Sequence, residues 1–256
     1  MGRNKIKGTC QLCLQFGMMA DSHIWPKALV HDLVDDPGTE AIYAIPLSPT
    51  EREKRRRTGI WDDTIMCEGC EDRFKSYDDF GVSTLRIPAP VAGETFVHRR
   101  LNVDPKRFKL FFLHVLWRSH ASSSPELAGA KMAPQDAERL RQMLLRDDAG
   151  SLSEFATMLH VLAPDPDGMD TFSTSFAKDT WTTGVERFRM RHQRWQVFVT
   201  PSLEGPPTEF LPVMLGSAGT GASVVFGGDN RQTDGFLGLV NSIEGRRRNP
   251  PPRPDR

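Results

Sequence analysis

Apolar positions along this chain change their spacing several times, and each change marks an element. Behind Pro26, which suits a first helical turn, Ala28, Leu29, Leu33 and Val34 recur at helical spacing until Pro37-Gly38 stops the run. Trp61 to Met66 reads as a strand, and Glu71 to Phe80 as a helix with Phe74, Tyr77 and Phe80 turned inward. Residues 86–103 are proline-rich and extended. Asp104-Pro105 then starts a helix, with a capping carboxylate followed by proline in the first turn. In that helix Phe108, Phe111, Phe112, Val115 and Leu116 form one stripe, and Leu110, Leu113 and Trp117 widen it, which predicts burial on most sides.

An amphipathic helix over 134–147 follows through Ala137, Leu140, Met143 and Leu144, and a capping box at Ser151 and Glu154 predicts one more short helix. Beyond about 170 the texture becomes strand and turn, with strands at Trp195 to Thr200 and Ser223 to Phe226. The expectation is an α+β chain in three parts. A small zinc domain occupies 1–85. An accessory region spans 86–245, helical over 104–162 and strand-rich over 170–245. A basic, proline-rich tail, 246–256, is disordered.

Composition changes this picture little. An apolar fraction of 38% suffices for a core, and Lys+Arg and Asp+Glu are equal at 33 each. Only local patches could therefore argue for a polyanionic partner. Two candidates are the Glu51 to Arg57 run and the tail, whose five arginines face one aspartate. Each reads as a solvated segment or as a phosphate contact. No run of about 18 apolar residues predicts a membrane span, and the N-terminus lacks a secretory h-region. The expected location is cytoplasmic.

The chemistry is concentrated in four cysteines, all spent on Cys10-x-x-Cys13 and Cys67-x-x-Cys70. Two thiolates two residues apart form a metal knuckle, and two knuckles complete a tetrahedral S₄ site. Disulfides or a redox pair are the alternative, and the shared short spacing favours the metal. The clamp would bring a strand histidine, His23, towards a helix carboxylate, Glu71. A neutral imidazole can deprotonate water while a hard cation on carboxylate oxygens stabilises a leaving oxyanion, the requirements of phosphodiester hydrolysis. His31 reads as a residue of a solvated face, and His114 and His120 as packing or polar-edge residues. Arg118 is read as a helix C-cap or a phosphate contact. Gly216 to Gly221 is not a phosphate loop, because no Gly-Lys-Ser/Thr follows.

Cys10-Gln-Leu-Cys13, Ser22-His23-Ile-Trp-Pro26 and Asp62-Asp-Thr-Ile-Met-Cys67-Glu-Gly-Cys70-Glu71 together resemble the zinc-containing HNH endonucleases, whose core is a ββα-metal treble clef. The likeness covers about residues 6–80. SHIWPKAL, CEGCE and the helix FKLFFLHVLWRSHASSS are similar to a bacterial and phage subgroup. The resemblance implies DNA as the partner and structural zinc on Cys10, Cys13, Cys67 and Cys70. It makes His23 the general base, Asp62 the residue that orients it, and Glu71 a ligand of catalytic Mg²⁺ or Mn²⁺. Three positions depart from the family pattern: Ser22 replaces an aspartate, Asp62 an asparagine and Glu71 a histidine. A zinc-stabilised DNA- or protein-binding module with weak or no catalysis is the competing expectation. The region after 104 would supply target recognition, a homodimer contact or a protein partner surface.

Overall fold

The computed structural model describes residues 6–34, 42–44, 54–56, 59–86, 97–163, 174–181, 183–201, 205–216 and 221–229. The chain is mixed α+β. It begins with a hairpin of β1 (Lys7–Thr9) and β2 (Phe16–Met18), followed by β3 (Ser22–His23) and helix α1 (Lys27–Val34). Leu29 of α1 is buried as its spacing predicts; Val30, outside the expected face, is buried too, whereas Ala28 is exposed. A second hairpin joins β4 (Ile42–Ala44) to β5 (Lys54–Arg56), and β6 (Trp61–Asp62) returns to pair antiparallel with β3. Helix α2 (Glu68–Leu85) then leaves the second cysteine knuckle. The basic tail lies outside the described residues, as do the side chains of the Glu51 to Arg57 run.

Helix α3 (Pro105–Ala121) is the centre of the molecule. Asp104 caps it as predicted, accepting from the backbone N–H of Lys106 at 2.9 Å and Arg107 at 3.1 Å. Every residue from Phe108 to Ser119 is buried, so no face of this stretch meets water. The approach of α2 is close because Gly81 has no side chain: a Cβ there would sit 2.3 Å from the Phe111 ring. Helix α4 (Pro134–Leu145) covers another side of α3.

The remaining strands form one six-stranded sheet. They are β7 (Val97–Leu101), β8 (Ala156–Ala163), β9 (Thr174–Thr180), β10 (Glu186–His192), β11 (Trp195–Thr200) and β12 (Ala222–Asp229), in the order β7-β12-β8-β11-β10-β9. All pairings are antiparallel except that of β12 with β8. One hydrophobic cluster runs from the cysteine knuckles through α3 into this sheet, joining Leu12, Trp25, Phe74, Phe111, Val197 and Val224. No helix among the described residues is long and apolar enough to cross a membrane.

The helix expected after Ser151 is corrected. Ser151 Oγ accepts from the Glu154 backbone at 3.3 Å, the first half of a capping box. Glu154 does not return the bond; its Oε1 pairs instead with Arg139 at 2.7 Å. The Nζ of buried Lys109 then holds the Ser151 carbonyl at 2.9 Å and the Glu154 carbonyl at 2.6 Å. Phe155 follows with φ of 44°, a left-handed turn that ends any helix, and β8 begins. The stretch 156–162, read as helical, belongs to strand β8 because both of its edges are paired, with β11 and β12.

Candidate metal centre and adjoining polar site

The first knuckle is a tight turn. Cys10 N–H donates to the Gln15 carbonyl, Leu14 N–H donates back to the Cys10 carbonyl, both at 2.9 Å, and Leu14 takes φ of 62°. The second knuckle is the start of α2: Cys67 occupies the cap position, and Cys70 and Glu71 N–H groups donate to its carbonyl at 3.1 and 3.0 Å. Backbone bonds from Gln11 to Ile65 and from Ala20 to Met66, each 2.9 Å, fasten one knuckle to the other.

The four sulfurs converge within 4.8 Å of one another, and Cys13 Sγ lies 3.8 Å from Cys67 Sγ. A tetrahedron with metal–sulfur bonds of about 2.3 Å has edges of about 3.8 Å, so the spacing fits a structural ion such as zinc. The cysteines are not disulfide-bonded. Their protonation fits the same reading. A hydrogen bond from Cys70 pulls the Cys10 thiol down to about 4, and the same shared proton pushes Cys70 up. Crowding thus stops the pair from ionising together unless a cation compensates them. Arg141 of α4 braces the knuckle from outside, donating to the Leu12 carbonyl at 2.5 Å while Glu138 holds its other edge at 2.7 Å.

Immediately beside this centre the clamp brings β3 against α2. Ser22 is fully buried, and its hydroxyl donates to Glu71 Oε2 at 2.9 Å. The other oxygen, Oε1, lies 3.7 Å from Arg118 Nη2. Arg118 is 0% exposed and forks onto Asp78, with Nη1 to Oδ1 at 3.0 Å and Nη2 to Oδ2 at 2.9 Å. Glu71, Phe74 and Asp78 follow one another on the face of α2 that meets α3, and the guanidinium also lies 5.3 Å from the Phe74 ring. Burial raises the Glu71 pKa, and Arg118 and Ser22 oppose that rise.

His23 has a different position from the one expected. In the β3–β6 ladder Ser22 faces Asp62 and His23 faces Trp61. Neighbouring strand residues project to opposite faces, so His23 turns away from the side shared by Ser22 and Asp62. Among the described residues its Nε2 is buried without a hydrogen-bond partner. Burial, seconded by Lys27, lowers its pKa and keeps the imidazole neutral at pH 7.

Asp62 is occupied elsewhere. Oδ1 accepts from Thr64 N at 2.9 Å and Oγ1 at 2.6 Å, while Oδ2 accepts from Ser122 Oγ at 2.6 Å and Ser123 N at 3.3 Å. Burial would raise its pKa, but these bonds prevail and hold the carboxyl below its ordinary range. Asp62 therefore ties β6 to the end of α3, and its expected bond to His23 is replaced by these.

The structure thus brings together the four cysteines, and separately Ser22 and Glu71. It adds two residues whose role sequence reasoning missed, Arg118 and Asp78. Arg118 is neither a helix cap nor exposed enough to touch a phosphate. The available signal was a permanent cation inside a helix apolar on every side, which requires a buried carboxylate from a neighbour. Of the other histidines, His114 is fully buried and stacked on Phe74 with ring centres 3.6 Å apart, the packing role expected of it. His31, expected on a solvated face, has its Nε2 buried. His120 accepts from the Met132 backbone at 2.9 Å.

No protein-family model, curated protein or solved structure matches this chain. Its function has to be argued from the site itself.

Proposed function

We propose that this chain is a zinc-stapled module of the HNH type that hydrolyses DNA phosphodiester bonds, with zinc on Cys10, Cys13, Cys67 and Cys70 and with His23 as the base. The observations that carry the reading are the convergence of the four sulfurs and, on β3, a neutral histidine whose Nε2 has no hydrogen-bond partner among the described residues. A general base needs this free lone pair near pH 7. In the step, a water oxygen bonds to phosphorus as its proton passes to His23 Nε2. The P–O bond to the leaving sugar breaks, its electron pair stays on that oxygen, and solvent protonates it. Nε2 is covered in the free protein, so DNA has to uncover it.

The expected result is nicking of supercoiled plasmid, reduced ~10²- to 10⁴-fold by His23→Ala. Zinc content and thermal stability of the variant should match wild type. A competing reading, a DNA-binding module without catalysis, is favoured by one observation: Asp62 spends both carboxylate oxygens on Thr64, Ser122 and Ser123 instead of orienting the base. It takes over if wild-type protein leaves plasmid intact with and without Mg²⁺ or Mn²⁺, yet retards DNA in a gel at low salt.

A further inference from the structure

The family likeness calls for a hard divalent cation beside Glu71, and the surroundings of Glu71 do not suit one. A Mg²⁺ or Mn²⁺ site needs carboxylate oxygens with free lone pairs, a near-octahedral shell and room for several waters. Here position 22 offers a neutral hydroxyl that donates its proton to Glu71 Oε2 at 2.9 Å. The second oxygen faces a guanidinium at 3.7 Å. That guanidinium cannot swing aside. It is fully enclosed, lies on a stretch of α3 buried all round, and is gripped by both oxygens of Asp78. A fixed positive charge this close to a carboxylate repels a second cation from the same oxygens, all the more strongly away from bulk water.

We propose that Arg118 stands in for the divalent cation, so that Glu71 is the partner of a built-in guanidinium and not a metal ligand. Being fully buried, Arg118 does not reach substrate. It is a positioning residue, and with Ser22 it fixes the Glu71 carboxylate against β3. Asp78 in turn fixes Arg118. Three side chains from two helices and a strand thereby replace an exchangeable ion with a permanent one. This inference takes from the hydrolase reading only the idea that positions 22 and 71 are where an ion would bind, and its test does not depend on catalysis.

The test is a titration of the zinc-loaded full chain with Mn²⁺, following the electron paramagnetic resonance signal of the free ion. Wild type is expected to show no site tighter than about 1 mM. Arg118→Met releases two carboxylates and is expected to gain a site at least about tenfold tighter, lost again when Glu71→Gln is added. One Mn²⁺ bound per wild-type chain and lost in Glu71→Gln would overturn the proposal. So would a folded Arg118→Met protein that gains no Mn²⁺. Should that variant fail to fold, judged by zinc content and near-ultraviolet circular dichroism, the wild-type titration decides alone. Plasmid nicking is scored separately, so inactivity would remove the hydrolase reading while the Mn²⁺ result still stands or falls by itself.

Discussion

Cys67→Ser is expected to abolish zinc binding and, with it, cooperative unfolding of the N-terminal part of the chain. Structural zinc sites contribute about 10–16 kcal/mol to folding, comparable with or above the entire stability of about 5–15 kcal/mol usual for a domain. The apolar cluster shared with α3 packs this region, but its local secondary structure is too short to hold the knuckles by itself. Its strands β1, β2, β3 and β6 have only two or three residues each, and a ladder that short has no stability of its own. The substitution separates the metal from the helix start. Cys67 makes no side-chain cap bond to α2, and serine is the better cap, so any loss belongs to the missing thiolate. Strong chelation of wild type should reproduce the effect. Zinc content by atomic emission and a thermal melt followed in the near ultraviolet check it; an unchanged melt in the zinc-free variant would refute the staple.

Asp78→Leu is expected to cost about 3–5 kcal/mol, the penalty for stranding a buried charge. Arg118 would keep only Glu71, at 3.7 Å, in place of two bonds of 3.0 and 2.9 Å. Asp78 itself is 17% exposed, whereas Arg118 is 0%, so the arginine bears most of the loss. Combining Asp78→Leu with Arg118→Met should recover a large part of it, because an apolar pair of similar volume often matches a buried ion pair. Denaturant unfolding of both single variants and the double gives the coupling energy. A double variant as unstable as the sum of the singles would mean that the two side chains act independently.

Much of this architecture could be read from residue order. Asp104-Pro105 and the phenylalanine stripe defined α3 because capping and burial are local signals, and the short strand Trp195–Thr200 emerged from its apolar texture and flanking turns. The paired CxxC motifs placed the knuckles because ligand spacing directly encodes a metal site. The failures share a cause. Ser151 and Glu154 resemble a helix start, but Arg139 and Lys109, distant in sequence, take their polar groups and the sheet takes the next eight residues. Asp62 sits at the right interval to serve His23, yet Ser122, sixty residues later, claims it. Local patterns report what a segment can do; the partner that wins is chosen by packing.

The position of β12 has a consequence for biosynthesis. Strand β7 reaches the rest of the sheet only through β12, which is made more than a hundred residues later and lies parallel to β8. A nascent chain emerging from the ribosome could close its knuckles and assemble α2 against α3 while the edges of β7 and β8 still waited for a neighbour. Contacts between such remote segments form slowly, because the intervening loop must first be ordered. Closure of the sheet is therefore expected late in maturation, and the interval before it is when two immature copies could exchange strands.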